Sequence, residues 1–154
     1  MSPYHWEPLN HLQVGRYGET FVKLELTRLG FDVYTSEVDD HGIDFVIRLD
    51  AKHYLDIQVK TVRGYNYIFA RKSVFPDSPN LYMAIVILLE NKPPSLYLIP
   101  RTRWNQPDDI FVTRDYSEGT TAPEFGINLS AKNIEFLKAY AADLVAIGWS
   151  DSTT

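Results

Sequence analysis

Between positions 54 and 62 the polar residues Asp56, Gln58 and Lys60 alternate with the apolar Leu55, Ile57 and Val59. Side chains alternate faces along a strand, so an extended segment here presents all three polar groups on one side. Asp44 lies upstream, beyond the turn-forming residues Asp50, Ala51, Lys52 and His53, and a hairpin through that turn brings it close to Gln58 across the ladder. Hydrolysis of a phosphodiester needs a hard cation held by oxygen, a water made nucleophilic, and positive charge beside the phosphate as it gains charge. Asp44 offers a carboxylate, the Gln58 amide oxygen and the Val59 carbonyl offer neutral oxygens, and Lys60 offers the cation. Glu19, on a helix packed over this sheet, can bind the metal through water or orient the nucleophile.

Each residue also has a purely structural reading. A half-buried strand with one wet face carries Asp56, Gln58 and Lys60 equally well. Asp44 can cap the start of a strand after the turn at Asp39, Asp40, His41 and Gly42, and Lys60 can extend its ammonium to water from an ordinary strand. Asp39, Asp40 and His41 read first as turn formers, with a supporting donor role open to His41. On a helical wheel at 100° per residue Glu19 falls at the border of the apolar arc, beside Leu26, whereas Glu25 falls inside it.

The elements that must position these groups follow from periodicity. Val14, Tyr17, Phe21, Val22, Leu24 and Leu29 recur at helical spacing over residues 11–29, and Gly30 supplies a stop. Strands are expected at 31–35, 43–49, 54–62 and 65–71, and the continuous apolar run 81–89 reads as a strand buried on both faces. Further short strands are expected at 96–99, 110–113 and 125–129, and Ser130 is placed to cap a closing helix reaching about residue 147. The chain thus reads as a single α/β domain over residues 11–149, with an arm at 1–10 and a loose tail at 150–154.

Composition narrows the function. The 154 residues are 45% hydrophobic, enough for one compact core. Cysteine is absent and the four histidines lack paired zinc-ligand spacing, which excludes thiolate chemistry, disulfides and a structural zinc. No apolar stretch approaches the roughly 20 residues that span a bilayer, so a cytoplasmic protein without a membrane partner is expected. The net charge of −5 argues against a broad basic surface, and requires Lys60, Arg63, Arg71, Lys72, Arg101 and Arg103 to be grouped if nucleic acid is the partner. Trp6, Trp104 and Trp149 read as packing anchors.

Gly18 and Glu19 in the first helix, Gly42-Ile43-Asp44-Phe45-Val46 in the hairpin and Ile57-Gln58-Val59-Lys60 on the next strand resemble the PD-(D/E)XK nuclease superfamily. The Gln-x-Lys variant is similar to that of Mrr-type restriction endonucleases, and the early glutamate to that of archaeal Holliday-junction resolvases. The resemblance covers residues 11–71, with the remainder fitting loosely as further sheet and a closing helix. It implies a restriction-endonuclease-like α/β core, with a mixed central sheet flanked by an N-terminal and a C-terminal helix. It implies metal-dependent phosphodiester hydrolysis, on DNA rather than RNA, with Mg²⁺ or Mn²⁺ held by Asp44, Gln58, Val59 and Glu19. Lys60 would be the active-site lysine, and Arg63, Arg71 and Lys72 would steer phosphates. Gln58 departs from the commoner acid, which weakens the cation site unless Asp56 compensates. The alternative is a catalytically inactive domain of the same fold that binds nucleic acid or a protein partner. A homodimer, with residues 81–99 supplying an edge, would let two sites address two strands.

Overall fold

The computed structural model describes residues 2–37, 42–116, 119 and 121–152, with side chains as far as Ser150. The turn residues Asp39, Asp40 and His41 lie outside the described residues. Helix α1, His11–Arg28, starts at a reciprocal cap: Asn10 accepts from the Gln13 amide, and the Gln13 side chain accepts from the Asn10 amide. It ends before Gly30, whose φ of +98° suits the reversal of chain direction. Val14, Gly18, Val22 and Leu26, four residues apart, form its buried stripe.

Eight strands follow: β1 Asp32–Tyr34, β2 Phe45–Arg48, β3 Tyr54–Arg63, β4 Ile68–Arg71, β5 Leu81–Leu88, β6 Ser95–Pro100, β7 Phe111–Arg114 and β8 Glu124–Ile127. The main sheet has the order β1-β2-β3-β5-β6, parallel only between β3 and β5, and is therefore mixed. Helices α1 and α2, Ala142–Ser152, cover one face, where Val22, Leu26, Ile57, Val86 and Trp149 meet. This is the mixed sheet with an N-terminal and a C-terminal helix that the sequence implies.

The other face is covered by something the periodicity did not disclose, a second antiparallel sheet of order β4-β8-β7. Ile68, Phe75, Trp104, Phe125 and Ile127 pack there against Met83, Ile85, Ile87 and Ile99. With a core on each side, β5 must be apolar throughout, which accounts for its unbroken hydrophobic run. It is also interior, so it offers no edge for a second copy. Within residues 81–99 the strand at an edge of the sheet is β6, and Tyr97 on it forms a bridge to Ala141.

The closing helix differs from the expectation of one continuous element over residues 130–147. Ser130 caps only a turn, its Oγ accepting from the Asn133 amide at 3.2 Å. A 3-10 helix, Ile134–Tyr140, follows; Ala141 is extended at ψ 135°, and α2 begins after it. The reason is layering. Leu137 is buried in the core shared with the small sheet, while Ala142, Ala146 and Trp149 belong to the core beneath α1. One straight helix cannot serve both sides of the main sheet. Helix α2 then continues to Ser152, through part of the stretch expected to be loose.

Residues 2–10 are docked. Trp6 is buried with its Nε1 donating to the Leu89 carbonyl at 2.9 Å, and Glu90 accepts from the amides of Trp6 and Glu7. No helix among the described residues is long and apolar enough to cross a membrane.

Helix and sheet approach closely at Gly18, where an added Cβ would fall 1.7 Å from Thr61 Oγ1 on β3. Gly18→Ala is expected to lower stability by about 1–2 kcal/mol, overpacking outweighing the better helix propensity of alanine. Gly15→Ala, whose Cβ meets nothing within 4 Å, should instead stabilise by about 0.5–1 kcal/mol. Urea midpoints of the two variants check the contrast.

Candidate active site

Strand β2 stops at Phe45, which pairs with Ile57, so beyond this point no strand among the described residues pairs with the outer edge of β3. Asp44 replaces the missing rungs. Its amide donates to the Ile57 carbonyl at 2.9 Å, and its carboxylate Oδ2 accepts from the Val59 amide at 2.6 Å. A side chain thereby continues the ladder where the backbone turns away, and the carboxylate is fixed against β3 by a charge-assisted bond.

The edge of β3 forms the floor of a groove of about 480 Å³. Asp44, Val59 and Lys60 line it; Glu19 and Gly15 come from α1 on one wall, and Phe69 of β4 with Tyr67 just before that strand on the other. Four sequence candidates, Asp44, Val59, Lys60 and Glu19, therefore meet in one place. Glu19 faces the groove half-exposed while paired to Lys23, Nζ to Oε1 3.2 Å, one helical turn on. Asp56 does not reach the groove lining; its carboxyl is pushed up by burial further back along β3.

Gln58 is only 4% exposed and points away from α1, toward the small-sheet side. Its Nε2 donates to the carbonyls of Gly42 at 2.9 Å and Val74 at 3.3 Å. Both partners are acceptors, so the amide orientation is determined: nitrogen toward the carbonyls, oxygen away from them. Oε1 is buried and has no hydrogen-bond partner among the described residues. Leaving such an atom unpaired costs about 1–3 kcal/mol. Gly42 makes this packing possible, because its φ is +75° and a Cβ there would lie 2.9 Å from Gln58 Nε2.

Lys60 sits between opposing influences. Burial pushes its pKa down, the Asp44 carboxylate pulls it up, and Arg71 pushes it down again. Of the other basic residues, the structure brings none to the groove lining. Arg63 spends Nη1 on the carbonyls of Trp6, Glu7 and Leu9, clamping the N-terminal segment. Lys72 pairs with Asp115 at 2.8 Å and lies over the Phe125 ring. Arg101 is buried, donating to the Phe75 carbonyl, and Arg103 is paired with Asp108. The basic residues are thus dispersed into structural duties, and the grouping that the charge argument required is limited to Lys60 and Arg71. Glu25, unexplained on the helical wheel, pairs with Arg28, which also reaches Asp143 of α2.

Among the described residues, no three Asp, Glu or His side chains form a metal-binding group. The donors in the groove lining are all oxygens, the Asp44 carboxylate, the Val59 main chain and the Glu19 carboxylate, while the orphaned Gln58 Oε1 is buried and Gln58 is not part of the lining. That set fits a hard cation such as Mg²⁺ in kind, with one negative charge fewer than an acid at position 58 would give. Sequence reasoning missed Tyr67 and Phe69, although Tyr65, Tyr67 and Phe69 recur at every second residue in the expected fourth strand.

No protein-family model matches the chain, and no curated protein matches its sequence. Among solved structures it is similar to Hjc, a Holliday junction resolvase from the archaeal hyperthermophile Archaeoglobus fulgidus, with a TM-score of 0.54 and 14% identity. The match covers 86% of this chain and 94% of that one. The likeness is one of fold, the restriction-endonuclease-like core, over nearly the whole of both chains.

The charges around Lys60 make a testable pair. Arg71→Ala removes a repelling cation and should raise the Lys60 pKa, while Asp44→Asn removes an attracting anion and should lower it. Because the folded pKa lies below the unfolded one, the burden of a charged Lys60 on stability is full below the folded pKa and fades as pH rises through the unfolded value. Arg71→Ala reduces that burden. NMR titration of the Lys60 side-chain Cε resonance reads both shifts, and shifts of equal sign would contradict this arrangement.

Proposed function

We propose that this chain is a divalent-metal-dependent nuclease that hydrolyses phosphodiester bonds, with DNA as the substrate. The observation that carries the reading is the Asp44 carboxylate, held by the Val59 amide beside Lys60 in an open groove. Asp44, Gln58, Val59 and Glu19 would hold Mg²⁺ or Mn²⁺. The ion would polarise the phosphate and lower the pKa of a bound water. Lys60, with its ammonium destabilised by burial, gains most from a phosphate that accumulates negative charge. Arg71 would add attraction for the backbone, as an exposed cation close enough to perturb Lys60. The fold likeness to a resolvase supports DNA over RNA.

Gln58 in place of an acid and the net charge of −5 favour a second reading, a silent domain that binds nucleic acid or a protein without cutting. Incubation with linear, branched and single-stranded DNA and with RNA, in Mg²⁺ or Mn²⁺, separates the two. Metal-dependent products support the nuclease, and binding without products supports the silent domain.

Lys60→Ala is expected to reduce turnover by about two orders of magnitude or more, a barrier increase of roughly 3 kcal/mol, with metal affinity little changed. Cleavage at the parental rate would remove Lys60 from the chemistry. Metal binding is measured without substrate. An ion at about a hundred times its Kd stabilises the fold by about 2.7 kcal/mol, so the thermal midpoint should rise with Mn²⁺. Asp44→Asn keeps an oxygen for the Val59 amide but removes the anion beside Lys60, so it should lower the metal-free midpoint modestly while abolishing the rise. Gln58→Glu should enlarge the rise and Gln58→Leu diminish it; identical responses would place position 58 away from the ion.

A further inference from the structure

The wall of the groove facing α1 is built from Tyr67, Ile68 and Phe69, at the start of β4 and just before it; the outward residues at alternate positions along this segment are Tyr67, Phe69 and, beyond the groove lining, Arg71. Phe69 is 46% exposed, although the inward Ile68 and Ala70 on either side are buried. The rings of Tyr67 and Phe69 lie nearly parallel, 15° apart with centroids at 6.0 Å. Tyr67 is held firmly. Its hydroxyl donates to the buried Glu124 at 2.5 Å, and the Arg114 guanidinium lies 4.3 Å from its ring centroid. On β8, opposite Phe69, stands Gly126, where a Cβ would fall 2.0 Å from the Tyr67 hydroxyl oxygen. At the position opposite Phe69 the neighbouring strand therefore contributes no side chain.

A half-exposed phenylalanine beside a braced tyrosine, flanked by Arg71 and Arg114, combines a flat apolar surface with positive charge. A nucleobase attached to a phosphodiester matches both features. A base inside a duplex is already stacked on both faces and cannot lie on this wall without being extruded. We infer that Tyr67 and Phe69 form a stacking platform for an unpaired nucleobase, so that the groove selects nucleic acid with a single-stranded segment next to the scissile phosphate. Phe69 contacts the base, and Tyr67, anchored through Glu124, keeps the Phe69 ring in place. The inference rests on the groove being a nucleic-acid site, and deepens that reading by naming the substrate class.

Binding is tested in EDTA, where no metal-dependent cleavage intervenes, with DNA carrying 2-aminopurine in a single strand, in a gap within a duplex, and in an intact duplex. Quenched 2-aminopurine fluorescence and about tenfold tighter binding of the first two over the intact duplex are expected, given the usual worth of one stacked base. Phe69→Ala should abolish both the quenching and the preference, while Phe69→Trp retains them; thermal midpoints near the parental value confirm that each variant is folded. Equal affinity for single strand and duplex, or a preference unchanged in Phe69→Ala, overturns the platform. If such a protein still cuts DNA in Mn²⁺, the proposed nuclease function survives without it. A protein that neither binds nor cuts any of these substrates overturns both.

Discussion

The hydrogen bond from the Val59 amide to the Asp44 carboxylate is the contact on which the site depends, because it joins two strands at the point where their backbone pairing ends. β2 is too short to accompany β3 along its length. Had β2 continued, its backbone would have covered the edge that now forms the floor of the groove. Had it stopped without Asp44, the Val59 amide would face the groove unpaired. The carboxylate satisfies that amide and also leaves negative charge beside Lys60. One side chain thus does the work of a missing ladder rung and sets the electrostatics of the groove.

The surrounding structure holds this arrangement from both faces of the main sheet. On the helix side the absence of a side chain at Gly18 lets α1 descend onto Thr61, which carries Glu19 to the groove wall. On the other side the loop at Gly42 and the turn at Val74 present carbonyls to the Gln58 amide. An acid at position 58 in this same conformation would face two carbonyl oxygens, which a carboxylate cannot satisfy. The amide is therefore suited to its immediate neighbours, while its oxygen has no hydrogen-bond partner among the described residues.

The net charge of −5 leaves few cations uncommitted, because most of the basic residues have structural partners. Arg63, Lys72, Arg101 and Arg103 are tied to carbonyls, carboxylates or ring faces, and they stabilise the N-terminal segment and the small sheet. On the proposed function, attraction for a phosphate would fall to Lys60 in the groove and to Arg71, whose charge reaches Lys60, with Arg114 on the outer face of the small sheet. Short-range contacts would then replace steering by a broad field, because partial burial weakens screening.

The sequence alone determined the features that depend on neighbours in the chain. These are the first helix with its Gly30 stop, the hairpin that sets Asp44 against β3, the alternation that puts Gln58 and Lys60 on one face, and the double burial of β5. Each follows from a local period or a short turn. What tertiary structure decided involves groups far apart in sequence or assigned to different layers. The partition of the C-terminal segment between two cores cannot be read from its helical period, because Leu137 and Trp149 are equally apolar and only the layer they enter separates them. The diversion of Arg63 to the N-terminal carbonyls, and the pairing of β4 with β8 that turns Tyr67 and Phe69 toward the groove, arise from contacts more than 50 residues apart along the chain. A side chain's type announces its chemistry; which partner consumes that chemistry is settled only when the layers close.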